Sequence, residues 1–275
     1  MNVPISIDHI RDHYDRLSAY YRTLWGVHLH HGYWEDNESQ AAAQVKLVEK
    51  LAKLAELSPS IRVLDVGCGL GGSSLWLAGN LNATVAGVTL SEVQAKMASE
   101  DAERSGLGER VSFHLADARH LPFAEEGFDV VWIIECSEHL EDKKSFLGDC
   151  SRVLRQKGKL AICAWLKADN LSLEDEETFI SPVCKGFLCP SLETMKNYCR
   201  WMEEAGLTVR HAQDITPRVE KTWALCTKIA RRSEVKLLLQ LGDERILRFV
   251  NAFETIRDAY AHRKMLYGMM VAEKF

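Results

Sequence analysis

Residues Val63–Gly72 read VLDVGCGLGG: a short apolar run holding one aspartate, then four glycines within six positions. A strand that ends in so much bare backbone can bring main chain close to a ligand, because glycine permits positive φ and leaves no Cβ in the way. The pattern also satisfies GxGxxG through Gly67, Gly69 and Gly72, so taken alone it leaves NAD and FAD open.

Working outward, the same rhythm repeats. A strand over Arg62 to Val66 is followed by a helix from Gly72 to Asn80, a strand from Ala83 to Val88, a helix from Ser91 to Ser105 and a strand from Arg110 to Leu115. Then come a strand over Phe128 to Ile134, a helix from Asp142 to Leu154, a turn at Lys157-Gly158 and a strand over Lys159 to Trp165. The first four strands are apolar on both faces, as expected of a parallel sheet covered by helices on each side. Ahead of them, helices are predicted over Ile7 to Trp25 and Gln40 to Leu57, the second stopped by Ser58-Pro59-Ser60. Beyond them, Lys167 to Cys189 reads as loop with at most a short helix. Ser191 caps a helix that runs to Ala205, Leu207 to His211 is a sixth strand, Pro217 to Tyr260 is mostly helical, and Met265 to Ala272 returns as the last strand. The expected organisation is an N-terminal helical segment over 1–58, an α/β core over 59–166, and cap insertions with the last strands over 167–275.

Composition narrows the partners. With 34 basic and 39 acidic residues the net charge is −5, so no field gathers nucleic acid or anionic membrane. The eight cysteines include no CxxC pair and read as reduced thiols. Charges from Asp8 onward and the lack of a long apolar run leave the cytoplasm as the expected compartment, with no stable membrane insertion and a small molecule as partner.

Two features tilt the glycine loop away from a dinucleotide. The second strand ends GVTLS without the acid that a ribose usually requires, and Asp65 just before the turn suits a cationic ligand better than a pyrophosphate. A sulfonium carrying an amino acid is such a ligand. Asp117 follows the third strand, placed to accept from an exocyclic amine, and the fourth strand ends in Glu135-Cys136-Ser137-Glu138-His139. Four chemistry-bearing turns thus fall at one edge of one sheet.

VLDVGCGLGGSSLWLA, GVTLSEVQ, the DAxxLPF turn, FDVVW and ECSEHLEDK together resemble class I S-adenosylmethionine-dependent methyltransferases, most closely the gamma-tocopherol methyltransferase-like group. That group also carries a segment similar to YYRTLWGVHLHHGYW, Tyr20 to Trp34 here. The resemblance implies a Rossmann-like seven-stranded α/β sandwich with N-terminal helices and an inserted helical cap, using S-adenosylmethionine and releasing S-adenosylhomocysteine. It further implies that Asp65, Gly67 and Gly69 surround the methionine moiety, that Thr89, Leu90 and Gln94 lie by the ribose, that Asp117 and Ala118 flank adenine, and that Glu135 with His139 lines the wall next to the sulfonium. Tyr21, Tyr33 and Trp34 are expected to cover the cofactor.

His139 is the candidate catalytic base, since a neutral imidazole is available near pH 7; the alternative is a histidine that caps the next helix. Related enzymes pair it with an aspartate at the end of the fifth strand, which here ends Cys163-Ala164-Trp165. That absence favours an acceptor that is already nucleophilic: a ring carbon, as in tocopherol-like phenols, comes first by resemblance, an amine or indole nitrogen next, and oxygen third. Glu135 and Glu138 form an acidic pair, with Glu138 read as a solvated loop acid. His28, His30 and His31 lack a fixed carboxylate at ligand spacing, so no metal is expected. Trp132 reads as core, while Trp165, Trp201, Trp223, Phe249, Phe253 and Tyr260 suggest packing or an aromatic acceptor pocket. The basic run Lys228 to Lys236 reads as a solvated helix face.

Overall fold

The computed structural model describes residues 5–230 and 244–275. Seven strands form one sheet in the order β3-β2-β1-β4-β5-β7-β6. They are β1 (Arg62–Val66), β2 (Thr84–Thr89), β3 (Val111–Leu115), β4 (Phe128–Ile134), β5 (Leu154–Lys167), β6 (Leu207–Asp214) and β7 (Met265–Lys274). The first five are parallel, whereas β7 runs antiparallel between β5 and β6. The chain goes outward from β1 through β2 to β3 and then returns to β4 on the other side of β1, so the carboxyl ends of β1 and β4 diverge into a crevice.

The alternation of side chains along each strand builds two cores. Val63, Val130, Trp132, Ala161 and Cys163 face one side with Leu47, Leu51 and Leu77 from α2 (Gln40–Leu54) and α3 (Gly72–Leu81). Leu64, Val66, Val131, Ile133 and Ile162 face the other with Phe146 and Leu147 from α5 (Lys143–Val153) and with Tyr198 and Met202 from α8 (Met195–Glu204). Where both faces are buried, as along β1 and β4, each apolar side chain adds about 1.5–3 kcal/mol, and a one-residue slip would move every side chain to the opposite core. Trp132 is fully buried, as its place inside a strand suggests.

Helix starts carry their own signals. Ser39, Ser91 and Asp142 accept a backbone N–H at the beginnings of α2, α4 (Glu92–Arg104) and α5. Three expectations need correcting. The helix expected from Ser191 begins at Met195, capped by Thr194; Ser191 instead accepts from the buried Lys143 ammonium at 3.2 Å. The segment 167–189 is largely helical, through α6 (Leu173–Asp175), a wide turn over Glu176–Ile180 and α7 (Ser181–Phe187). A capping box between Ser172 and Asp175 starts it, and burial of Ile180, Val183 and Cys184 holds it. The Lys157-Gly158 turn is an irregularity within β5, with Lys157 at φ 63°, and the strand starts at Leu154.

The remaining described helices lie around the carboxyl edge. They are α1 (Ile7–Leu24), the short α9 (Thr216–Val219), α10 (Lys221–Ala230) and α11 (Glu244–Ala261). Most of the basic run, and part of the long helical stretch expected after Pro217, fall outside the described residues. No helix among the described residues is long and apolar enough to cross a membrane.

Candidate active site

Two cavities meet at the carboxyl edge. The first, about 1230 Å³ counted to its open mouth, is floored by the ends of the first four strands. Asp65, Gly67 and Gly69 come from β1 and its turn, Thr89, Leu90 and Gln94 from β2 and the start of α4, Asp117 and Ala118 from the exit of β3, and Glu135 and His139 from the exit of β4. Ile7, Ile10 and Tyr14 of α1 and the His28–His30 stretch roof it. Ten of the thirteen residues named from sequence around the cofactor therefore line this cavity; Tyr21, Tyr33 and Trp34 do not.

The bare turn is required by its neighbours. Gly67 has φ +76°, and a Cβ there would sit 2.4 Å from both Cβ and Sγ of Cys136 on the β4 exit. Gly69 also has positive φ, +53°, and a Cβ there would make only ordinary contact with Leu29, at 3.7 Å. Asp65 is 2% exposed and accepts the Ser74 hydroxyl at 2.6 Å. Burial pushes its pKa up to about 7 despite the Ser74 bonds. Thr89 donates its hydroxyl to the Gln94 carbonyl oxygen at 2.8 Å, leaving the buried Gln94 amide nitrogen with no partner among the described residues. Asp117 is held by a neighbour that sequence reasoning missed: Arg119 donates its backbone N–H at 2.9 Å and Nε at 2.8 Å. Partial burial opposes ionisation, but those bonds hold the carboxyl below its ordinary range.

The second cavity, about 1100 Å³, is lined by Tyr21, Trp25, Trp165, Phe187, Trp223, Phe249 and Phe253 among others. The rings pack edge to face, with centroids 4.9 Å apart for Trp165–Phe187 and 5.6 Å for Trp165–Trp223. Tyr14, Leu29, His30, Glu135 and His139 line both cavities and form the wall between them.

That wall fixes two protonation states. His139 Nδ1 lies 3.2 Å from the Leu188 carbonyl, which can only accept, so the proton is on Nδ1 and the lone pair of Nε2 receives the Tyr14 hydroxyl at 2.9 Å. Burial lowers the His139 pKa, so the ring is neutral at pH 7. Burial also raises the Tyr14 phenol well above its ordinary value. Glu135, in the left-handed region at φ 54°, takes three donors on one oxygen: His31 N–H at 2.8 Å, His31 Nδ1 at 2.9 Å and the Tyr267 hydroxyl at 2.7 Å. Burial opposes its charge, yet His31, His30 and Tyr267 together bring its pKa down to about 2.

Other sequence expectations are redirected. Tyr21 lines the second cavity, not the first, and its hydroxyl meets His13 Nε2 at 2.8 Å. Tyr33 lines neither; its ring lies under Lys50 and Arg218. Trp34 donates to Thr222 at 3.1 Å and is likewise not in the cofactor-side wall. Backbone bonds from Tyr33 to the Ala43 carbonyl and from Trp34 to the Arg218 carbonyl hold both residues there. Glu138 is not a solvated loop acid: it is 3% exposed and accepts the Trp165 backbone N–H at 2.6 Å. Trp201 packs against Tyr198, away from both cavities. Tyr14, whose role no local motif announces, is the main addition. Among the described residues no cluster of three or more His, Cys, Asp or Glu side chains is arranged to hold a metal.

A methyltransferase-domain family model matches residues 64–162, from β1 into β5. The chain is 36% identical over 220 residues to methyltransferase GfsG of Streptomyces halstedii, covering 78% of this chain and 77% of that protein. It is 31% identical over 270 residues to the probable chloroplastic tocopherol O-methyltransferase of Oryza sativa subsp. japonica, covering 93% and 72%. Among solved structures, the [4+2]-cyclase SpnF superposes with a TM-score of 0.85 at 23% identity, covering 100% of this chain and 98% of that one, a likeness of fold. From the domain match and the two relatives together, the chain belongs to the class I S-adenosylmethionine-dependent methyltransferases that act on small molecules, near the tocopherol methyltransferase-like group.

Proposed function

We propose that the first cavity holds S-adenosylmethionine and the second an oxygen-bearing aromatic acceptor of phenol type, with the methyl group crossing the wall at His139. The observation that carries this reading is the wall itself, five residues shared by a polar, glycine-floored cavity and an aromatic one. Three features suit the donor: the bare turn at Gly67 and Gly69, the buried acid Asp65, and the buried amide of Gln94, which has no partner among the described residues. Asp65 faces the ammonium of the methionine moiety, Gln94 the ribose and Asp117 the adenine amine.

When bound, S-adenosylmethionine supplies a methyl carbon on positively charged sulfur, and the C–S bonding pair leaves with that sulfur as a neutral thioether. No new ion needs stabilising, so the wall's main tasks are to align and to exclude water. Neutral His139 takes the phenolic proton on Nε2, and the acceptor's oxygen pair forms the new bond to the methyl; where the activated ring carbon attacks instead, the proton on that carbon leaves afterwards, to the phenolate oxygen or to water, and restores the aromatic ring. Tyr14, which occupies Nε2 in this arrangement, is displaced by the acceptor hydroxyl or passes the proton on. A relative from Rauvolfia serpentina, 32% identical over 197 residues, is named as a norajmaline N-methyltransferase, so amines belong in the same test. Mass spectrometry of phenols, prenyl quinols, indoles and amines incubated with the donor decides: phenols and quinols gain the mass of one CH₂, as a methyl group takes the place of a hydrogen, and methylation confined to amines would overturn the reading.

Two expected results follow for the donor. Asp117→Ala weakens S-adenosylhomocysteine binding about tenfold or more, the usual worth of a hydrogen bond to a charged group, without lowering the melting temperature to match. Calorimetric titration measures it, and unchanged affinity contradicts the adenine assignment. For Asp65 the sign follows from a folded pKa near 7, far above the ordinary carboxyl: below that pH the group is neutral and the ligand ammonium loses its partner. Affinity therefore rises about tenfold from about pH 6 to about pH 8 and flattens in Asp65→Asn. An equal rise in that variant would assign the titration to another group.

A further inference from the structure

Three buried polar atoms of residues lining the aromatic cavity have no partner among the described residues: Nε1 of Trp223, and two on side chains that a hydrogen bond joins, Glu138 and Trp165. Glu138 Oε1 accepts the Trp165 backbone N–H at 2.6 Å, while Oε2, buried, has no partner among the described residues. The indole Nε1 of the same Trp165 is also buried without a partner. Both side chains line the second cavity, in which most of the remaining wall is hydrocarbon or ring. A buried polar atom left unpaired forfeits its hydrogen bond to water without replacing it, and two on adjacent groups at one cavity wall call for a ligand that pairs them.

We propose that Glu138 and Trp165 are the specificity-determining pair of the acceptor site, donating two adjacent hydrogen bonds to lone pairs on a neutral oxygen of the aromatic acceptor. The geometry fixes the direction of both bonds. An indole N–H only donates. Because Oε1 of Glu138 already accepts an N–H, a proton on this carboxyl sits on Oε2, which then donates as well. The surroundings keep that proton in place. Burial, opposed by the Trp165 bond and reinforced by the Glu135 charge, pushes the Glu138 pKa up to about 8. Charge near it comes from Glu135 on the β4 exit and from Lys143 on α5, whose ammonium is turned to the Leu140 carbonyl at 2.6 Å and to Ser191. His139, its chain neighbour, has a pKa lowered by burial. The phenols that face it, Tyr14 of α1, Tyr198 of α8, Tyr260 of α11 and Tyr267 of β7, are all pushed up by burial and stay neutral. The thiols of Cys136, Cys163 and Cys189 are pushed up in the same way. The site is thus a neutral pair of donors in an aromatic box, matched to a carbonyl, ether or phenol oxygen and mismatched to an ammonium, which brings only further donors.

This inference rests on the reading of the second cavity as the acceptor site, and binding without turnover tests the two separately. Three probes share one skeleton: chroman-4-one carries a carbonyl, chroman lacks it, and chroman-4-amine is a cation at neutral pH. Each is titrated calorimetrically into protein saturated with S-adenosylhomocysteine. The expected order is the ketone about tenfold tighter than chroman, with the amine weakest. Trp165→Phe, which keeps a ring and removes the N–H, and Glu138→Leu each erase most of the ketone's advantage, whereas Glu138→Gln, which keeps a donor, retains it. Ketone affinity in the natural protein falls as pH rises through about 8, since the donor becomes a buried anion, and this fall is absent in Glu138→Gln. Chroman binding as well as the ketone, or the amine binding tightest with affinity rising through that pH, overturns the proposal while leaving an aromatic acceptor site in place. Failure of all three probes to bind overturns the site reading and the proposal with it.

Discussion

His139→Ala lowers turnover about 10²–10³-fold while S-adenosylhomocysteine affinity changes only a few-fold. The size is that of a lost general base, and the asymmetry follows from position. His139 touches both cavities through their shared wall, but its polar atoms are committed to Leu188 and Tyr14 rather than to the floor of the first cavity. Removing the ring strips the wall of its proton acceptor and leaves Gly67, Asp65 and Asp117 where they were. Tyr14→Phe is the companion measurement. It leaves the Nε2 lone pair intact and removes only its present donor, so its loss is smaller than that of His139→Ala by about tenfold. Equal losses of turnover and of cofactor affinity in His139→Ala would mean that the histidine shapes the pocket and does no proton chemistry.

Gly67→Ala abolishes measurable donor binding and destabilises the fold by on the order of 2–5 kcal/mol, the sum of a left-handed backbone penalty and an overpacked contact. The new methyl would stand 2.4 Å from Cβ and Sγ of Cys136, at φ +76°. Either the turn moves off β4 or the β4 exit moves off the turn, and both residues line the first cavity. Adding Cys136→Gly removes the clash and not the backbone strain, so stability recovers in part while affinity stays low. Chemical denaturation and ligand titration on the single and double variants check this. Wild-type affinity in Gly67→Ala would show that the turn does not approach the ligand.

The parts of this molecule that sequence reveals are those whose physics is local. β1, β2 and β4 are mostly buried on both faces as expected, whereas β3 corrects the expectation: at the sheet edge it carries Ser112 and His114 and leaves Leu115 58% exposed. The boundaries of all four lie within two residues of where composition puts them. The glycine turn announces itself because only glycine tolerates its backbone beside Cys136. Membership in the methyltransferase family removes the nicotinamide alternative that the glycine pattern alone left open. What stayed illegible depends on partners distant in the chain. Tyr14 meets His139 across 125 residues, and no spacing in α1 distinguishes it from Tyr20, which is 46% exposed. The burial of Glu138 is decided by the turn of β4 beneath Trp165, although its acidic neighbours Glu135 and Glu141 make the stretch look solvated. The 167–189 segment is helical because α11 and the core give its apolar residues somewhere to pack, which no periodicity within it specifies. Tyr21 and Tyr33 belong to one motif, yet Tyr21 lines the aromatic cavity while Tyr33 is held to Ala43 and packs under Lys50 and Arg218.

The central claim is that donor and acceptor occupy two cavities separated by one wall. Its most direct test is a crystal structure of the protein with S-adenosylhomocysteine. The account predicts the adenine beside Asp117, the amino group facing Asp65, and the sulfur at the wall, turned toward the aromatic cavity with room for a methyl and an attacking atom about 3–3.5 Å beyond it. A sulfur turned toward bulk solvent, or an adenosyl group lodged in the aromatic cavity, would contradict it.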